Sequence, residues 1–244
     1  MMARAVPGVI PARYGASRFP GKPLARLWGR PLLQHVWERA RRVEGLDQLI
    51  VATDDERIES AARAFGAVVE RTSPACTSGT DRVAEVARRH PEGAIVINLQ
   101  GDEPELDASA VGGLIATMRA DPSIRMATLA HAEDDPAILA APDVVKVGVD
   151  GEGFALYFTR QDPAAGSGPG RVLRHVGVYG FARELLLEFA SWPPGRLERS
   201  ERLEQLRALE RGVRIRVLPA AGTAAGVDTP EQLEALERRG PRAG

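Results

Sequence analysis

The chain has 244 residues, with 32 Lys and Arg against 33 Asp and Glu and a formal net charge of −1. That balance excludes the basic excess of a non-specific nucleic-acid binder, and no apolar run approaches the ~20 residues of a membrane span. With 44% hydrophobic and 27% charged residues, the composition suits a packed core rather than general disorder.

The predicted elements alternate strand and helix. Val6 to Ala12 reads as a strand ending in a Gly/Pro-rich loop. Pro31 to Val43 reads as a helix, with Leu32, Leu33, Val36 and Ala40 at helical spacing and Pro31 in the first turn. Strands follow at Leu49 to Thr53, Ala67 to Val69, Ala94 to Leu99 and Met126 to Ala130. Helices follow at Glu56 to Phe65, Thr80 to Arg89 and Ala108 to Met118. This alternation implies βαβ units and a mainly parallel sheet. Val144 to Val149 and Phe154 to Phe158 then read as an antiparallel hairpin turning at Asp150-Gly151-Glu152-Gly153, and Gln161 to Gly170 as a mobile loop. A long strand at Val172 to Phe181 precedes helices at Arg183 to Phe189 and Arg199 to Glu210, a strand at Val213 to Leu218 and a helix at Thr229 to Arg238. The expectation is an α/β fold: a single domain over 1–240, with an antiparallel subregion inserted over about 135–200.

Cys76 is the only cysteine, which excludes intramolecular disulfides and cysteine-based zinc sites. With no apolar signal core near the start, the expected compartment is the cytoplasm. Among the 32 basic residues only Lys22 and Lys146 are lysines, and Asn98 is the only asparagine. Lys and Asn share AAN codons, so a GC-rich genome accounts for both scarcities. The survivors are then candidates for positions where Arg or Asp fails.

The segment Pro11-Ala12-Arg13-Tyr14-Gly15-Ala16-Ser17-Arg18-Phe19-Pro20-Gly21-Lys22-Pro23-Leu24 follows the first strand, where an open α/β sheet places ligand loops. Backbone N–H groups and cations in such a loop suit a polyphosphate. It is neither a P-loop nor a G-x-G-x-x-G turn. Asn98-Leu99-Gln100-Gly101-Asp102-Glu103-Pro104 follows the central strand. Gly101 there permits a close backbone approach or an unusual φ, and Asp102 sits where a metal carboxylate would. In Gly226-Val227-Asp228-Thr229-Pro230-Glu231-Gln232, Thr229, Pro230 and Gln232 compose a capping box, so Asp228 is free either to shape the turn or to share Mg²⁺ with Asp102.

Thr77-Ser78-Gly79-Thr80-Asp81-Arg82 opens a helix capped by Ser78 or Thr80, and its small residues also suit the approach of a nucleobase. On the long strand, period two puts His175, Gly177 and Tyr179 on one face, with a recess over the glycine suited to a sugar. In Glu201 to Leu206 the stripe Leu203, Leu206, Leu209 is expected inside. Glu201, Glu204, Gln205 and Ala208 then point the other way.

Together these segments resemble the 3-deoxy-manno-octulosonate cytidylyltransferase (CMP-Kdo synthetase) family, from Val9 to about Leu236. The resemblance implies a nucleotide-diphospho-sugar-transferase-like fold and a homodimer built through the inserted subregion. It also implies CMP transfer from CTP to Kdo with Mg²⁺, for lipopolysaccharide biosynthesis. It implies that Arg13 and Lys22 neutralise the triphosphate, with Pro11, Ala12, Ser17, Arg18, Ser78, Gly79 and Gln100 around the nucleotide. Asp102 and Asp228 would hold Mg²⁺, and Arg160, His175, Tyr179, Glu204 and Gln205 would surround the sugar acid. After Thr159-Arg160 the segment Gln161 to Gly170 is shorter than the family pattern and lacks its apolar-Pro start. Alternatives are the same chemistry on a sialic acid or an amino-Kdo, a glycosyltransferase, against which the missing Asp-x-Asp speaks, and an inactive nucleotide-binding module.

Overall fold

The computed structural model describes residues 5–15, 18–161, 172–221 and 226–241. Two compact units divide it: Met1–Ser109 with Thr223–Gly244, and Ala110–Gly222. The chain begins with β1 (Pro7–Pro11), a 3-10 turn at Lys22–Leu24, the hairpin β2 (Arg26–Leu27) and β3 (Arg30–Pro31), and α1 (Leu32–Ala40). It goes on through β4 (Gln48–Thr53), α2 (Glu56–Ala64), β5 (Val68–Arg71), α3 (Gly79–Arg89), β6 (Ile95–Asn98) and α4 (Ala108–Ala120). The second unit holds β7 (Met126–Ala132), α5 (Pro136–Ala140), β8 (Lys146–Val149), β9 (Ala155–Thr159), β10 (Val172–Ala182), α6 (Arg183–Ser191), α7 (Arg196–Glu201), α8 (Leu206–Leu209) and β11 (Ile215–Pro219). The last helix, α9 (Pro230–Arg239), belongs to the first unit.

In the first unit β1 pairs in parallel with both β4 and β6, and β4 with β5. Val9, Ile10, Val51, Val96 and Ile97 are fully buried. Such continuous apolar runs fit parallel strands covered on both faces. Because the strands run in parallel, the loops after β1 and β6 emerge at the same edge. The start of α9 is brought to that edge by a small core of Leu27, Leu32, Val227 and Leu236, against which Phe19, Trp28 and Leu233 pack. In the second unit β7 pairs in parallel with β11 and antiparallel with β10, and β10, β8 and β9 continue antiparallel. The fold is α/β, parallel in the first unit and mostly antiparallel in the second.

Two expectations change, and β10 carries an irregularity of its own. Pro31 ends β3 and precedes α1 as its cap rather than occupying its first turn. The helix expected over Arg199 to Glu210 is two short helices, broken where Arg202 takes a left-handed φ of 57°. The break turns Gln205, Arg207 and Ala208 inward together with Leu203 and Leu206, so one face of this segment is not simply solvated. Buried Arg207 accounts for the turn, since its guanidinium binds Glu198 at 2.7 and 2.5 Å. On β10, a register shift between Val176 and Tyr179 brings the His175 and Tyr179 rings to 5.5 Å between centroids. His175, Gly177 and Tyr179 are part-exposed while Val176, Val178 and Gly180 are buried, so the period-two alternation holds through the irregularity. Of the segment read as a mobile loop, 162–170 lies outside the described residues.

Among the described residues, no helix is long and apolar enough to cross a membrane. The capping box at Thr229 forms as the sequence implies, Oγ1 accepting from Gln232 N at 3.3 Å and Gln232 Oε1 from Thr229 N at 3.2 Å. Thr229→Ala should therefore lower the unfolding free energy by roughly 0.5–2 kcal/mol in urea denaturation.

Candidate active site

Lys22 follows Gly21, whose φ of +75° favours glycine and whose Cα lies against the Tyr14 ring. Gly21 N donates to Tyr14 O at 2.8 Å. The Arg57 guanidinium lies 3.3 Å from the centroid of that ring and is held by Asp55 at 3.0 and 2.6 Å. The loop after β1 is thus folded back on itself, and the Lys22 side chain is held largely out of solvent, at 15% exposure.

Asp102 reaches the same place from the loop after β6. Gly101 is needed there for close approach, since a Cβ would stand 3.1 Å from the Pro11 carbonyl oxygen. Its φ is not in the left-handed region, so closeness rather than an unusual φ is the reason for glycine. Val227 N donates to Asp102 O at 2.9 Å, and Asp228 N donates to Gln232 Oε1 at 2.6 Å. Glu105 and Arg239, 2.6 Å apart, fasten α9 to this loop from behind.

Three distant segments converge as a result. Lys22 Nζ donates to Asp102 Oδ2 at 2.5 Å and to Asp228 Oδ1 at 3.2 Å, and Arg18 Nη2 meets Asp228 Oδ2 at 3.2 Å. A cavity of about 280 Å³ opens onto them, lined also by Pro11, Ala12, Arg13, Ser78, Gly79, Arg82 and Gln100. Ser78 serves twice, lining the cavity while its hydroxyl caps α3 by accepting from Asp81 N at 3.1 Å. Ser17 lies outside the described residues. Asn98 is buried, its amide donating to Thr80 Oγ1 at 3.3 Å, a structural tie between β6 and α3.

The second unit gathers its own polar groups. Thr128 Oγ1 donates to Val178 O at 2.7 Å, so it accepts from His175 Nε2 at 2.9 Å, which assigns the neutral Nε2–H tautomer. Phe158 meets the His175 ring edge-on at 5.1 Å, and burial pushes the imidazole down to about 3. Glu201 accepts from Arg160 N at 3.1 Å and Thr159 Oγ1 at 3.3 Å. Glu204 is half-buried and Gln205 buried.

The sequence pattern of a cytidylyltransferase family matches residues 8–215. The 3-deoxy-manno-octulosonate cytidylyltransferase of Anaeromyxobacter sp. (strain Fw109-5) is 51% identical, across 98% of this chain and 99% of its own length. The chain belongs to this family. The protein of the same name from Solibacter usitatus (strain Ellin6076) is 46% identical over 97% of this chain and 95% of its own length. The solved structure of CMP:2-keto-3-deoxy-manno-octonic acid synthetase complexed with CTP is similar at a TM-score of 0.90 and 44% identity. That likeness covers 96% of this chain and 98% of the other.

Each residue that the family resemblance assigns to nucleotide and metal, apart from Ser17, borders one cavity of the first unit. Among the described residues no cluster of three or more His, Cys, Asp or Glu is placed to hold a metal by itself. Asp102 and Asp228 nevertheless share one cation, the Lys22 ammonium, and offer the hard oxygen donors that Mg²⁺ takes together with phosphate oxygens. The donor set fits Mg²⁺.

Sequence reasoning missed Arg82, 3% exposed, whose guanidinium reaches Thr72 and Asp54, the latter at 3.1 Å. A charge on the apolar face of α3 was the available signal. It placed Glu201 on an outward face but missed its hydrogen bonds to Thr159 and Arg160, partners that come from a different element and left no local trace.

The depressed pKa of His175 has a definite sign. An unfolded histidine takes up a proton below about pH 6.5, whereas His175 in the fold resists it. Its contribution is present above that value and is lost as pH falls. His175→Gln should flatten the decline of unfolding free energy between about pH 6.5 and 4.5 by one proton's worth of slope. Urea titrations across that window measure it, and an unchanged slope would show that His175 does not supply the proton.

Proposed function

We propose that the chain transfers CMP from CTP to the anomeric hydroxyl of Kdo, giving CMP-Kdo and pyrophosphate. Support comes above all from family membership at 51% identity over nearly the whole length, joined to a cavity in which Lys22, Arg13 and Arg18 stand beside Asp102 and Asp228. The reading is of one catalytic domain over about 1–240, acting in the cytoplasm as a homodimer paired through about 135–200, for lipopolysaccharide synthesis.

In this reading the hydroxyl oxygen bonds to the α-phosphorus as the bond to pyrophosphate breaks in line. Such a transfer depends on alignment and charge neutralisation more than on covalent help. Arg13, Arg18 and Lys22 neutralise the triphosphate. Lys22 exchanges its carboxylate partners for phosphate oxygens as the nucleotide arrives. Pro11, Ala12, Ser78, Gly79 and Gln100 hold the nucleoside. Asp102 and Asp228 would hold Mg²⁺, which when bound acidifies the attacking hydroxyl and screens phosphate from an anionic sugar. Arg160 offers its guanidinium to the sugar carboxylate. His175, Tyr179, Glu204 and Gln205 orient the hydroxyls. His175 stays neutral near pH 7 and acts through hydrogen bonding rather than as a charged acid.

Two experiments test this. Pyrophosphate release should require CTP among the four nucleoside triphosphates, require Kdo rather than a sialic acid, and stop in excess EDTA. Equal release with ATP, or full activity in EDTA, would refute it. Asp228→Asn should lower kcat/KM by about 10²-fold or more with Tm nearly unchanged and partial recovery at high Mg²⁺. An active but unstable variant would return Asp228 to a turn role.

A further inference from the structure

Lys146 is fully buried on β8, although lysine rarely is. Its register partner on β9 is Thr159 and on β10 Arg174. Its ammonium donates to Ala141 O at 3.2 Å and, at 2.7 Å, to the carbonyl oxygen of Arg160, the residue just after β9. Arg160 is tied to the same stretch of chain by its own side chain, Nη1 donating to Asp143 O at 3.1 Å. On its other side, Arg160 N donates to Glu201 Oε2 at 3.1 Å. The peptide groups on both sides of this Cα are therefore held by charged side chains, the carbonyl by an ammonium and the amide by a carboxylate. Charge-assisted bonds of this kind are the strong ones, and two of them fix the direction in which the Arg160 side chain leaves the backbone.

The choice of lysine also carries information. The chain uses Arg at all but two of its basic positions. A compact ammonium fits between two carbonyls in a sealed site, where a planar guanidinium is too wide. Burying a charge is costly, and a neutral apolar side chain of similar length would fill the same volume without that cost.

We propose that Lys146 is a positioning residue that aims Arg160 at the carboxylate of the sugar acid. This rests on the assignment of Arg160 to that carboxylate made above. The lysine touches no substrate and acts through the Arg160 carbonyl. Its loss weakens recognition of the sugar acid and leaves the CTP site, which belongs to the other unit, unaffected.

The experiment is a double-mutant cycle on the full chain with CTP, Kdo and Mg²⁺. K146M should raise KM for Kdo about tenfold, as expected for a lost charge-assisted hydrogen bond, with KM for CTP unchanged. K146Q, which keeps one N–H for the carbonyl, should recover part of the loss. In the R160A background K146M should add nothing further. If K146M raises both KM values alike, or its effect multiplies that of R160A, the positioning role is overturned. An R160A variant with wild-type KM for Kdo removes the assignment of Arg160 itself, a separate failure. Should the Lys146 variants not fold, E201A loosens the same corner from the part-exposed side. It must then raise KM for Kdo with KM for CTP unchanged, and a wild-type value overturns the proposal.

Discussion

Two carboxylates facing one another repel, and a cation between them turns that repulsion into attraction. The Lys22 ammonium does this for Asp102 and Asp228, residues 80 and 206 positions away from it in the chain. The pair with Asp102 is mostly shielded from water, at 15% and 24% exposure, so screening weakens it less than a surface ion pair. Removing the ammonium alone would leave two carboxylates opposed in a half-closed site, and that is the more costly defect. The surrounding architecture serves this meeting. Parallel strands deliver the loops after β1 and β6 to one edge, and the small core beneath α9 delivers Asp228.

The same arrangement is reactive for the reason it is stable. In the proposed function, groups that pair cations and anions among themselves would exchange those partners for a triphosphate and its metal. Backbone devices keep the partners from collapsing further: the Tyr14 ring against Gly21, the Gly101 approach to Pro11, and the cap of Gln232 on Asp228 N. Much of the preorganisation is in the main chain, so little has to reorganise when a ligand arrives.

The second unit works by separating two kinds of polar group. Around His175 the partners are neutral, a threonine hydroxyl and aromatic rings, and the imidazole is kept uncharged. Around Arg160 the partners are ions, Lys146 and Glu201, and the corner is pinned electrostatically. In the proposed function an acidic sugar would use both surfaces, one for its hydroxyls and ring and one for its carboxylate. Neither surface supplies a general base near neutral pH from His175, in keeping with a transfer that depends on alignment and charge.

The division between sequence and tertiary structure follows the range of the forces. Strand and helix alternation, the capping box at Thr229, a helix cap at Ser78 or Thr80, and the charged residues Lys22, Asp102 and Asp228 in loops flanking regular elements were readable locally. Each depends on spacing within a few residues, or on a motif whose residue types carry the chemistry. The helix break at Arg202, the left-handed Trp28 in the β2–β3 turn and the slip in β10 were not readable. A buried Arg207 seeking Glu198 and a bulge drawing two rings together depend on partners that adjoin only in the fold. The sequence by itself determined which residues carry charge, where chains turn and which faces are apolar. Only the tertiary structure decided that one ammonium is shared by two carboxylates, that a histidine stays neutral and that a buried lysine holds the Arg160 carbonyl. Distances and desolvation set those outcomes, and neither exists until remote segments pack together.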